Sequence, residues 1–320
     1  MNVGVAASML TPLVVGVILA LAGRRLGDLL PPATAVPLLT LASLVTALST
    51  GFVLAVAGFD ALAQLPVVAS AGTWSARIVA AREPVPLALG AACALACVAL
   101  MGAALRRFVS SGRDLAVAAA ACRRLGRGTD GLIVLADETP DAYALPGLSG
   151  RVVISTGMLR ALPAAERRVL LAHEAAHLRH RHHLYVQVAE LSAAANPLLR
   201  PLAGAVASAV ERWADEDAAQ AVGERTVVAR AVARASLAAQ CGGTSRISTT
   251  GVGTRVALRV ADTFALARTK AMLAPAPEPH RALTATVLAL MIAGAVAAID
   301  TGSHTEHLFE MARAATITSS

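Results

Sequence analysis

The chain has 320 residues, a net charge of +7, 56% apolar and only 3% aromatic residues, and a mean hydropathy of +0.62. That hydropathy excludes an ordinary soluble globular protein and makes the lipid bilayer part of the solvent. No basic run is interleaved with aromatics, which argues against a nucleic-acid partner, and the four cysteines show no CxxC or paired spacing, which argues against a disulfide framework or a thiolate metal site.

In chain order, four segments are long and apolar enough to span a bilayer: roughly 3–22, 35–57, 87–105 and 282–299. Each is near the ~20 residues a hydrocarbon core requires. The first has no positive residue before it and is followed by Arg24 and Arg25, the reverse of a secretory leader, so it reads as a retained helix. Those two arginines place the first loop in the cytoplasm by the positive-inside rule. The loop 58–86 balances Arg77 and Arg82 against Asp60 and Glu83 and suits the outside. The third helix returns and ends at Arg106 and Arg107. The region 106–281 then carries 23 of the 28 basic residues, and the fourth helix leads out to a tail with Asp300, Glu306 and Glu310. The expected organisation is three transmembrane helices in 1–107, a cytoplasmic domain over 108–281, a transmembrane helix at 282–299 and a short extracytoplasmic tail at 300–320, in a multi-pass cell-membrane protein.

Within the central region the pattern is α+β. Residues 108–125 are amphipathic and helical in character, followed by three short extended pieces at 131–136, 142–147 and 151–156. Pro163 opens a long helix that is expected to run through the 170s and 180s, with Glu166 in its first turn. Asn196-Pro197 and Pro201 interrupt the next apolar stretch, and a further helix is expected over 205–222. Residues 241–253 are rich in Gly, Ser and Thr and read as a loop, and Ala-Pro-Ala-Pro-Glu-Pro at 274–279 is a stiff linker into the last membrane helix.

The chemistry is concentrated in His173-Glu174-Ala175-Ala176-His177. Two histidines four apart on a helix point to the same side and can grip one Zn²⁺. Glu174, one position on, can reach a water at the metal without ligating it and serve as general base. A zinc hydrolase site needs a third protein ligand, and Glu211 in Glu211-Arg212-Trp213-Ala214-Asp215 is the candidate, with Asp217 and Glu190 as substitutes. Asp215, one turn after Glu211, can accept the second ring N–H of a ligand histidine. The plainer alternative for this acidic run is a solvated helix face paired with Arg212. His180, His182 and His183 read as a basic helix end near the membrane surface, with His180 a possible substrate contact.

Taken together, the runs Ala142–Gly147 and Arg151–Leu159, then Glu166, Leu171–Leu178, Asn196-Pro197 and Glu211–Asp215 resemble the BlaR-type membrane metallopeptidases and the related HtpX and CAAX prenyl protease group of gluzincins. The resemblance implies a membrane α-helical protein with an α+β gluzincin-like zinc peptidase domain. It also implies His173, His177 and Glu211 as ligands, Glu174 as catalytic base, Asp215 behind the ligands, and the strand at Tyr143 along a cleft where an extended peptide adds as a further strand. Arg255 is the candidate cation for the oxyanion. Two departures stand out: Asp141 occupies a position usually held by Asn in the HtpX group, and only about 20 residues follow the last helix, too few for a penicillin-binding sensor. The expected activity is a zinc metalloendopeptidase acting on a protein or peptide at the membrane. The alternatives are a BlaR-type signal relay acting on a repressor and a non-enzymatic metal-binding membrane protein. Transport wants ionisable groups within the spans, and the four segments contain none.

Overall fold

The structure is a computed structural model and describes residues 3–72, 74–82, 85–124, 131–146, 150–241 and 265–318. Four of its helices are long and apolar enough to cross a membrane. They are α1 (Val3–Leu29), α2 (Pro32–Leu62), α5 (Leu87–Arg124) and α12 (Arg281–Thr318), the last meeting that criterion over Arg281–Ala314. Between α2 and α5 lie the short helices α3 (Pro66–Gly72) and α4 (Ala76–Arg82). Prolines start α2, as the missing N–H of a first-turn proline allows.

The third membrane helix does not stop at Arg107. α5 continues to Arg124 as one 38-residue helix, about 57 Å long at 1.5 Å per residue. The sequence boundary at 107/108 marks where hydropathy changes, and nothing there breaks the helix. The last helix likewise runs on past 299. Beyond the apolar window, Leu308, Phe309 and Ala312 pack with Ala63 and Val79 and with the partly buried Trp74 and Ile78. Phe59, Trp74 and Phe309 pack edge-to-face or tilted, with ring centroids 5.0–6.1 Å apart. The end of α2, α4 and the last turns of α12 therefore form one helical cluster at the end of the bundle.

A three-stranded sheet follows α5: β1 (Leu132–Leu135), β2 (Ala142–Leu145) and β3 (Arg151–Ser155) in the order β1-β3-β2. β3 pairs parallel with β1 and antiparallel with β2, with Tyr143 opposite Val153. It is covered on both faces, which explains its continuous Val-Val-Ile run. Val153 packs with Ala118 of α5, Ile133 and Leu145, while Ile154 packs with Met158 and Leu162 on the other side. The short helix α6 (Thr156–Ala161) is capped by the Ser155 hydroxyl, which accepts the Met158 N–H.

The single helix expected through the 170s and 180s is two. α7 (Ala164–Arg179) ends at His180, Arg181 takes a left-handed conformation (φ 52°), and α8 (His182–Ala195) starts in a new direction. A 3-10 turn at Pro197–Leu199 leads to α9 (Arg200–Val222), which begins five residues earlier than expected because Pro201 sits in its first turn. Gly223, in a left-handed conformation (φ 81°), closes α9, and α10 (Arg225–Cys241) follows. A helical run over 265–273, α11, precedes the proline linker.

The α8–α9 hairpin is inserted among the membrane helices. At its tip, Asn196 is buried and its side-chain amide donates to Thr50 Oγ1 of α2 (3.3 Å). Ala189, Ala193, Leu202, Ala205, Val206 and Ala209 share one core with Leu19 and Leu26 of α1, Val36 and Leu39 of α2 and Val287 of α12. Lipid tails are as apolar as leucine, so close packing of small residues holds this core more than water exclusion does. At Gly23 an added Cβ would lie 2.8 Å from Leu202 Cδ1, and Gly27, one turn on, faces Ala205.

Candidate metal centre

α7 packs against β2 and β3 of the sheet and against α9. His173 and His177, one turn apart on α7, bring their Nε2 atoms within 3.1 Å of each other. From α9, Glu211 places Oε2 at 3.5 Å from His173 Nε2 and Oε1 at 3.5 Å from His177 Nε2. One donor atom from each of the three residues lies within 4.8 Å of the others. Tetrahedral zinc with bonds of about 2.0–2.1 Å holds its ligand atoms roughly 3.3 Å apart, so this spacing and the N₂O donor set fit that ion and leave one coordination position open.

Asp215, one turn beyond Glu211, is buried and lies 3.0 Å from His173 Nδ1. The solvated-face alternative fails here. Arg212 turns away to donate to the Gly27 carbonyl (2.6 Å) and lies near Asp28. The substitute ligands are also committed elsewhere: Asp217 to His180 (2.6 Å) and Arg179 (3.0 Å), Glu190 to Arg107.

The cation beside these acids is Arg268 of α11, which the sequence reading missed. It grips Asp215 with two parallel bonds (2.7 and 2.8 Å), reaches Glu211 at 3.0 Å and approaches His173 at 3.5 Å. Nothing local marks it, because it reaches α9 from 53 residues away. Arg255, the cation expected from sequence, lies outside the described residues, as does nearly all of the 241–253 loop.

The charges respond to this packing. Burial disfavours ionising Glu211, but Arg268 and the two imidazoles hold its carboxyl well below the usual range. Asp215 is likewise held down against burial by its bonds to Arg268 and His173. Burial pulls His173 down, yet its hydrogen bonds to Asp215 and Glu211 prevail and raise it to about 10. For His177 burial outweighs the attraction of Glu211 and lowers it to about 4. Burial raises Glu174 to about 7, with partial relief from His173 and from the backbone N–H of Ala144. A carboxylate titrating near neutrality is suited to accept and return a proton.

Two cavities, of about 360 and 280 Å³, meet at the cluster, and Tyr143, Glu174, His177 and Glu211 line both. They follow β2, whose outer edge has no strand partner among the described residues. The larger continues past Leu115 and Ala118 of α5 to the ion pair of Arg107 and Glu190. Burial, then Asp141, raises the Tyr143 phenol, keeping it protonated. His180 lines neither cavity and stacks on Trp213 (centroids 4.4 Å apart, 26° between planes). Within the basic helix end foreseen at 180–183, His182 is 1% exposed because the turn at Arg181 folds it inward.

Among known protein families, Peptidase family M48 has a model that matches residues 110–286, more than half of the chain. No curated protein and no solved structure matches.

Proposed function

Because the chain belongs to peptidase family M48, we propose that this multi-pass membrane metallopeptidase is a zinc endopeptidase in which His173, His177 and Glu211 hold the ion and Glu174 is the general base. The observation that carries the reading is the meeting of three donor atoms from α7 and α9, at tetrahedral spacing, beside a buried carboxylate in a cleft. Zinc, when bound, supplies a Lewis acid that polarises the scissile carbonyl and acidifies water.

The protein's own groups do the rest. Glu174 takes a proton from the attacking water on its carboxylate and returns it to the leaving amine. The Ala144 N–H fixes that carboxylate relative to β2, so base and substrate strand are positioned by the same element. An extended peptide adds along the open edge of β2, with Tyr143 beside the scissile bond as a neutral donor. Asp215 fixes the ring of His173, and Arg268 holds Asp215 and Glu211 in place.

The cleft ends at Arg107, where α5 emerges from its apolar span, which supports a substrate segment close to the membrane surface. Arg107 lines the larger cavity, and Gly23 and Gly27, which flank Arg24 and Arg25, face α9, so positive-inside bias supports a cytoplasmic site and a cytoplasmic region 108–281. A membrane protein or a repressor-like regulator fits that position. A BlaR-type relay is favoured by one observation: α12 joins the aromatic cluster at the far end, through the proline linker, to the helix that carries Arg268.

The test is Glu174→Gln in the native host, with proteomes compared against the wild type. One accumulating protein supports a relay, and many support general membrane proteolysis. A variant that binds zinc and keeps full function overturns the peptidase reading in favour of a non-enzymatic metal protein.

A further inference from the structure

We propose that His182 is a positioning residue for zinc, fixing the tautomer and orientation of His177 by accepting its Nδ1–H; this rests on the function reading above. His177 turns Nε2 toward His173 and Glu211, so its lone pair belongs there and its proton belongs on Nδ1. That Nδ1 lies 3.1 Å from Nδ1 of His182. Two ring nitrogens at this separation need one proton between them. His177 donates, His182 accepts, and the proton of His182 therefore sits on Nε2.

Two local features make sense together only in this light. On a continuous α-helix, residues five apart point about 140° away from each other and do not meet. Arg181, the sole non-glycine residue with positive φ among the described residues, breaks the helix at that point and swings His182 back onto His177. The second feature is the Nε2 of His182, buried and without a hydrogen-bond partner among the described residues. A side chain kept in the interior with one polar atom unsatisfied calls for a compensating role at the other, and that role is Nδ1. The ring is held from the far side by Trp213 (centroids 4.9 Å apart) and by a stack on His180 (5.5 Å, 21°). The His180–Asp217 bond in turn anchors that stack to α9, the helix that carries Glu211.

The two ligand histidines are thus backed differently. His173 faces a carboxylate, Asp215, and His177 faces a neutral imidazole. A metal-ligand histidine that loses such a partner typically loses about 10–100-fold in metal affinity.

The test measures zinc affinity of the detergent-solubilised full-length protein by competition with a chromogenic chelator. His182→Phe keeps a ring in the stack but removes the acceptor, and affinity is expected to fall about 10–100-fold. His182→Asn offers an oxygen near the place of Nδ1 and is expected to stay within about 3-fold of the wild type. Equal affinity in His182→Phe overturns the proposal, and so does an equal loss in both variants, which would mean packing alone. Zinc-loaded wild-type protein labelled with ¹⁵N-histidine gives a check free of folding effects. A protonated Nδ1 and a metal-bound Nε2 on His177 are expected, and the opposite tautomer overturns the proposal. Wild-type protein that takes up no zinc overturns the function reading instead.

Discussion

The two halves of α9 obey different rules. From Leu202 to Val210 the helix buries small and branched apolar residues against α1, α2 and α12, with an α1 glycine opposite Leu202 and another opposite Ala205. From Glu211 to Asp217 it carries four carboxylates, and each pairs with a histidine or an arginine. One half takes its position from the membrane bundle. The other uses that position to meet α7 and α11. The lesson is that the geometry of the proposed ligand set depends on packing among the membrane helices, through a helix that serves both as a bundle element and as part of the candidate site.

This contrast can be tested by disabling each half separately. Glu174→Gln removes chemistry without touching either half: peptide hydrolysis should fall about 10²–10⁴-fold, while zinc content by elemental analysis and melting temperature stay at wild-type values. Arg268→Ala attacks the charged half. It leaves Asp215 buried beside Glu211 without a cation, and thermal or denaturant unfolding should show a loss of about 3 kcal/mol, the low end for breaking a buried pair because Glu211 is partly open to solvent. Gly23→Val attacks the apolar half by forcing a side chain into Leu202, at an expected cost of about 1–3 kcal/mol. Zinc affinity should drop along with it; unchanged affinity at a lowered melting temperature would show that the two halves are mechanically independent. Arg179→Ala removes an exposed partner of Asp217 and should cost under about 1 kcal/mol.

Much of this arrangement is legible in the chain. The four spans announce themselves by hydropathy, and the three strands by short Val/Ile-rich or alternating runs between turn residues. The paired histidines announce themselves by the one-turn spacing that a metal requires. What stays hidden is tertiary. The continuity of α5 past Arg107 is invisible because charge changes hydropathy without changing helix propensity. The insertion of α8 and α9 is invisible because a face built mostly of alanine carries little hydrophobic periodicity. Arg268 and His182 are ordinary in sequence: the first acquires its role from a contact 53 residues away, the second from a single left-handed residue beside it.

The insertion of the hairpin has a practical consequence. A fragment cut to begin at residue 108 and end before 281, as hydropathy alone would suggest, keeps His173, His177 and Glu211 but strips α8 and α9 of their neighbours in α1, α2 and α12. Faces shaped for other helices would then meet water, and such a fragment would aggregate or lose its alignment of ligands. Biochemistry on this protein calls for the whole chain in micelles, nanodiscs or liposomes.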